Sequence, residues 1–292
     1  MPAYRDLEDQ IIQLFNNTSS LVWKGITYDK IQACKPSPQG GGECKTDIFV
    51  SLNNSVNSNL QENLKISVKQ QNAEFYGNKL TDDAALTLLG PNWKTILINS
   101  IKPLIPVFQS KCIVYKKPKK NPTDAYFTLG WKLEITDKSR ALSAPLALSN
   151  QEIIDNVYRG INQPIAKKDA SVFGVILKNS GIADYLYKGN ILATAQDIIN
   201  KLQDLRTYQS PQLYMAFTAN NYRLVADKAD GARTLAVAIK WSHQNGKLHP
   251  TFIFDEPLTY KGETHMQPHI KSALFSLNAN NFSTLNISNI YP

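Results

Sequence analysis

Two short apolar runs separated by a polar stretch constrain this chain more than any other feature. In residues 45–52, Ile48, Phe49 and Val50 follow directly on Asp47; in residues 63–70, Leu64, Ile66 and Val68 alternate with Ser67 and Lys69. A period of two is the signature of a strand with one apolar face. The segment between the runs (SLNNSVNSN) is rich in Asn and Ser, which suits a turn region. The spacing predicts a hairpin whose pairing brings the Asp47 carboxylate and the Lys69 ammonium into one pocket, with Ser67 beside them. Such a pair suits metal-assisted hydrolysis of a phosphodiester.

The pattern Thr46-Asp47, a spacer of about twenty residues, then Ser67-x-Lys69 resembles the PD-(D/E)xK nuclease superfamily. It is similar to those type II restriction endonucleases in which the acidic residue before x-Lys is replaced. The resemblance covers about 35 of the 292 residues. It implies an α/β (α+β mixed-sheet) restriction-endonuclease-like core with helices on both faces. It also implies Mg²⁺ as cofactor, double-stranded DNA as partner and substrate, and a homodimer as the usual assembly.

In that frame Asp47 is a metal ligand and the Val68 carbonyl a second. Lys69 orients or deprotonates the attacking water. Ser67 stands where the family usually has Glu or Asp, so it can hold a water but neutralises no charge. A second carboxylate is therefore expected elsewhere. Glu8 on the first helix is slightly preferred; Glu74, just past the second strand, is the other candidate, and Glu43 and Glu62 are weaker. Gln70, Gln71 and Asn72 follow Lys69 with amides able to touch phosphate or pair with adenine. Two other readings stay open: a degenerate nuclease fold that binds nucleic acid without catalysis, and a non-specific phage or repair nuclease.

A net charge of +8 favours a polyanionic partner. The run 115–122 (YKKPKKNP), with Lys116, Lys117, Lys119 and Lys120, reads as an arm along the phosphate backbone. Gly40–Gly42 would let backbone approach a phosphate, although it fits no phosphate-loop fingerprint. Cys34, Cys44 and Cys112 are odd in number and lack metal spacing, so free thiols in a reducing, cytoplasmic setting (prokaryotic or phage-encoded) are expected. No apolar run reaches the length of a membrane span, and the polar N-terminus carries no secretion signal. Pro268 separates His265 from His269 and disfavours a helical metal pair.

Along the chain, an amphipathic helix is predicted over 5–17 and helical segments over 80–108, broken at Gly90-Pro91, Pro103 and Pro106. A strand is predicted over 125–136, a helix opened by a Ser149/Glu152 capping box, a buried strand over 171–179, and a helix from Thr194. From 212 onward, Asn220-Asn221, Asp230-Gly231 and Asn245-Gly246 separate four strands, which reads as a C-terminal antiparallel β meander. Its Arg223, Arg233 and Lys240, interleaved with aromatics, suit a DNA-facing sheet. The organisation expected is a nuclease core over 1–208 with inserted DNA-binding segments, and a β-rich part over 209–292 suited to recognition; the boundary near 208–211 is slightly favoured as a loop within one continuous domain.

Overall fold

The computed structural model of the chain describes residues 3–111, 114–116 and 124–279. The protein is of mixed α+β class, with helices and several sheets. It divides into two compact units, Met1–Glu74 with Leu148–Pro211 and Phe75–Ala147 with Gln212–Pro292. The last crossing, at Pro211, falls close to the boundary read from sequence. Residues 75–147, which the sequence assigns to the N-terminal part, group with the C-terminal segment instead.

The first unit is built on a five-stranded sheet in the spatial order Gln203–Asp204, Tyr185–Lys188, Gln61–Lys69, Ile48–Asn53, Lys30–Cys34. The strands Lys30–Cys34, Ile48–Asn53 and Gln61–Lys69 form a consecutive antiparallel set. Tyr185–Lys188 lies parallel to Gln61–Lys69. Parallel neighbours need a long crossover, and this one contains the whole of 75–147 as an excursion into the second unit.

Alternation settles the two faces of that sheet. Ile48, Val50, Leu52, Leu64, Ile66 and Val68 pack in one cluster with Leu7, Ile11 and Phe15 of the helix Ala3–Asn16 and with Ile198 and Ile199 of the helix Ala195–Asn200. Leu7, Ile11 and Phe15 recur every four residues, so one helical stripe meets one sheet face. Each such side chain taken from water contributes roughly 1.5–3 kcal/mol.

The other face carries Phe49, Lys65, Ser67 and Lys69. Phe49 meets Phe173 edge-on at 6.1 Å. Lys65 pairs with Asp184 at 2.9 Å, and Asp184 also takes Arg159 at 3.3 Å, so the end of the segment Ile153–Arg159 reaches this face.

Local expectations meet mixed outcomes. The capping box forms, Ser149 and Glu152 bonding each other's backbone N–H, but the helix then continues as a π-helix over Ile153–Arg159 and stops at Gly160 (φ 76°). The predicted buried strand over 171–179 is instead a small hairpin, Ser171–Val172 with Val175–Ile176. Phe173 and Gly174 turn it with φ of 50° and 82°, and Val175 and Ile176 are exposed. A glycine inside an apolar run marked a turn there rather than a packed strand.

In the second unit the meander is corrected. The main sheet runs Lys228–Ala229, Tyr214–Arg223, Ala125–Thr136, Val237–Gln244, Lys247–Ile253, so the long strand Ala125–Thr136 sits between strands that the sequence reads as neighbours. Asn220-Asn221 is not a turn. The strand runs straight through it, with a register shift where Asn220 faces Gly130, and Asn220 is fully buried with Nδ2 donating to the Gly231 carbonyl at 3.2 Å. Asn245-Gly246 does make its tight turn, with φ of 50° and 75°.

Gly181 locks the start of the Asp47 strand. Its carbonyl accepts from the backbone N–H of Lys45 at 3.1 Å and of Thr46 at 3.2 Å, while its own N–H donates to the Lys168 carbonyl at 2.8 Å. A Cβ there would lie 2.0 Å from the Lys167 carbonyl oxygen and 2.9 Å from Cys44 Cβ. Gly181→Ala is therefore expected to destabilise the protein by about 1–3 kcal/mol through overpacking. Urea unfolding checks this; a wild-type midpoint would show that the backbone yields without cost.

Candidate active site

The antiparallel ladder between Ile48–Asn53 and Gln61–Lys69 begins at the pair Ile48–Ile66. Asp47 therefore falls just beyond its end, opposite Ser67. Its backbone N–H still donates to the Ile66 carbonyl at 2.9 Å. Its side chain then takes over from the departed strand: Oδ2 accepts from the Val68 N–H at 2.7 Å and from the Ser67 hydroxyl at 3.2 Å. The carbonyls of Lys65 and Lys69 accept from Asp184 and Gly189, on the parallel-strand side. The two-residue period then puts the N–H and carbonyl of Val68 on the Asp47 side.

Ser67 is buried, and Lys69 is half-buried two residues further along the same face. The Lys69 charge acts on Asp47, yet among the described residues its ammonium has no ion pair or hydrogen bond. Burial raises the Asp47 carboxyl above its ordinary value; Lys69, the bonds from Val68 and Ser67, and Lys35 work against that rise without cancelling it. Burial therefore outweighs the nearby cations at this carboxylate.

The preferred second carboxylate, Glu8, is buried on the first helix and pairs with Lys35 at 2.5 Å. Burial raises its carboxyl, Lys35 opposes this, and the charges of Asp47 and Glu43 add to the rise. Glu8 and Asp47 therefore feel each other across the site. Glu74 is half-buried just beyond the turn at Gln71-Asn72. Glu43 is exposed, and Glu62 pairs with Lys24 at 3.6 Å.

The remaining sequence candidates spread out. Gln70, Gln71 and Asn72 lie at the turn after Lys69, with Gln71 Oε1 accepting from Asn190 Nδ2 at 3.2 Å. Lys116 ends the short strand Val114–Lys116, while Lys117, Lys119, Lys120 and Cys112 lie outside the described residues. In the second unit, Arg223 is held by Asp230 at 2.8 Å and stacks over Tyr126 at 5.1 Å; Arg233 and Lys240 are exposed. Cys34 and Cys44 are free thiols, and burial pushes the Cys44 thiol up to about 11.

One residue escaped the sequence reading. Lys45, two before Asp47, is half-buried, and burial together with Lys69 and Lys167 lowers its ammonium to about 8 against the opposing pull of Asp47. The signal is the i, i+2 relation to Asp47 within the run 45–52, although residue 45 itself stands in irregular backbone before the strand begins.

Oxygen donors at the site suit a hard divalent cation. Asp47 and Glu8 supply carboxylates and Val68 a carbonyl, and Asp47 Oδ1 takes no hydrogen bond among the described residues. Among the described residues no group of three or more His, Cys, Asp or Glu side chains is placed to hold a metal. Mg²⁺ keeps several waters and needs only one or two carboxylates, so oxygen donors of this kind are chemically suited to it. Among the described residues, no helix is long and apolar enough to cross a membrane. Comparison of the chain with protein-family models, curated proteins and solved structures finds no match.

The Lys45 shift carries a sign. Its folded value near 8 lies below the ordinary 10.5, so the unfolded chain binds more protons in between. Stability from this residue is full above the unfolded value and is lost as pH falls through the folded one. In EDTA, wild type is expected to gain stability relative to Lys45→Met between pH 8 and 10.5. A difference that stays flat across that window in urea unfolding would refute the shift.

Proposed function

We propose that this protein is a metal-dependent endonuclease of PD-(D/E)xK type, hydrolysing phosphodiester bonds of double-stranded DNA in the manner of type II restriction enzymes. One observation carries the reading: Asp47 and Ser67-x-Lys69 meet at the end of one ladder, joined by the Ser67–Asp47 bond at 3.2 Å, with the buried Glu8 carboxylate coupled to Asp47. A mixed sheet with a helix supplying Glu8 is compatible with a restriction-endonuclease-like core. The +8 charge supports an anionic substrate.

Asp47, Glu8 and the Val68 carbonyl would hold Mg²⁺. When bound, the ion supplies charge neutralisation at the scissile phosphate and a more acidic water. The protein's own part is positioning. The Val68 N–H and Ser67 hydroxyl fix the rotation of the Asp47 carboxylate. Ser67 thus acts as a donor that aims the acid beside it. Lys69, on a central strand paired on both sides, is placed to orient or deprotonate the attacking water. Lys35 holds Glu8 in place.

A specific observation favours a second reading, nucleic-acid binding without catalysis. The Glu8 carboxylate is already neutralised by Lys35, and Ser67 adds no charge. Incubating purified protein with long unmethylated DNA and Mg²⁺ separates the two: discrete fragments support a restriction-type enzyme, and uniform degradation a non-specific nuclease. Retardation without cleavage would leave only a binder.

Within the endonuclease reading, Asp47→Ala and Lys69→Ala are each expected to lower cleavage roughly 10²-fold or more while duplex binding stays measurable. Wild-type cleavage by either variant would end the site assignment. Glu8→Gln is expected to shift the Mg²⁺ titration to higher concentration, and Glu74→Gln to leave it in place; the reverse pattern would make Glu74 the second carboxylate.

A further inference from the structure

In the first unit Lys45 stands within electrostatic reach of Lys69, Lys167 and the Asp47 carboxylate. Lys45, Lys69 and Lys167 are each half-buried, and among the described residues none has an ion pair or hydrogen bond through its ammonium. Lys69 and Lys167 both repel Lys45. Cations withdrawn from water are normally paired, so this group lacks an anion.

The surrounding backbone is shaped to hold these side chains close. A Cβ on Gly160 would lie 2.5 Å from Lys45 Cγ and 3.1 Å from the side-chain amide carbon of Gln163, so only glycine leaves room for the lysine stem. Among the described residues, the Gln163 amide oxygen at this spot is buried and has no hydrogen-bond partner, and the same holds for the Thr46 hydroxyl next to Lys45. On the other flank, a Cβ on Gly42 (φ 77°) would lie 3.4 Å from Lys167 Nζ. The glycine loop is tied down there, because the Gln39 N–H donates to the Ala166 carbonyl at 2.9 Å. The Gly40–Gly42 run, which fits no known phosphate-loop pattern, thus lies against a lysine.

We propose that Lys45 and Lys167, with Lys69, form a cradle for a backbone phosphate of the nucleic acid, placed beside Asp47 by Gly160 and the Gly40–Gly42 loop. The inference rests on the endonuclease reading and names the phosphate contact at the same site. A phosphate arriving there relieves the repulsion among the three ammonium groups. It also sets a phosphodiester against the carboxylate and the lysine of the ladder end.

Competitive acylation of lysines, read by peptide mass with and without saturating short duplex in EDTA, tests this. Lys45 and Lys167 are expected to react at least about tenfold more slowly when duplex is bound, and exposed Lys201 at an unchanged rate. Lys45→Met and Lys167→Met should each flatten the slope of log K against log salt by about one unit, as loss of one phosphate contact does. Lys45→Arg should keep that slope. Bound duplex with both lysines unprotected and the slopes unchanged overturns the cradle and leaves the endonuclease reading intact. A wild type that neither binds nor cuts duplex, yet whose two lysines are protected by inorganic phosphate, overturns the endonuclease reading and supports the anion site. A wild type that neither binds nor cuts duplex, and whose two lysines inorganic phosphate leaves unprotected, overturns both.

Discussion

The bond from the Val68 N–H to Asp47 Oδ2, at 2.7 Å, is the contact on which the rest of the site depends. At that point the strand carrying Asp47 has left the ladder, and the backbone of Val68 faces a gap. A buried N–H without a partner costs about 1–3 kcal/mol, and the aspartate removes that cost by standing in for the missing strand. The same bond fixes the acid's rotation and keeps it at the sheet end, next to Ser67. Structure and candidate chemistry thus share one hydrogen bond. Removing the carboxylate would strip a donor of its partner as well as remove a ligand.

That sharing explains what was legible in the sequence. Period-two alternation around Asp47 and Lys69 is a local property, and the pairing of the two strands follows from their faces. The burial of Glu8 is legible because Leu7, Ile11 and Phe15 define the buried stripe of their helix, and residue 8 adjoins it. The failures are non-local. Nothing within 212–253 reveals that Ala125–Thr136 lies between Tyr214–Arg223 and Val237–Gln244. Asn220-Asn221 has turn composition, yet its pairing across from Gly130 keeps it inside a strand. Lys45 and Lys167 meet through the loop at Gly181 and the turn after Ile153–Arg159, so no spacing rule joins them.

The charge balance around Asp47 follows from burial more than from pairing. Asp47 and Glu8 are both raised by desolvation, while Lys45 is lowered by it, so these three groups are drawn toward their neutral forms. Glu8 is closed in a pair with Lys35. The proposed reading gives this balance a use: a cation would ionise the carboxylates and an anion would meet the lysines. In the proposed reading these are Mg²⁺ and a phosphodiester, and each lowers the cost of the other's binding.

This balance also gives Ser67 a physical rationale. A carboxylate at that position would stand within hydrogen-bond reach of Asp47, whose carboxyl burial already raises. A third acid would push protonation further and leave less charge for a cation than the count suggests. A hydroxyl donates to Asp47 and stabilises its ionised form. In the proposed reading the second negative charge would come from Glu8, on a different element and paired with Lys35. Two such carboxylates could serve one Mg²⁺, because that ion retains much of its water. On that reading, the charge missing at Ser67 is supplied from the helix rather than the strand.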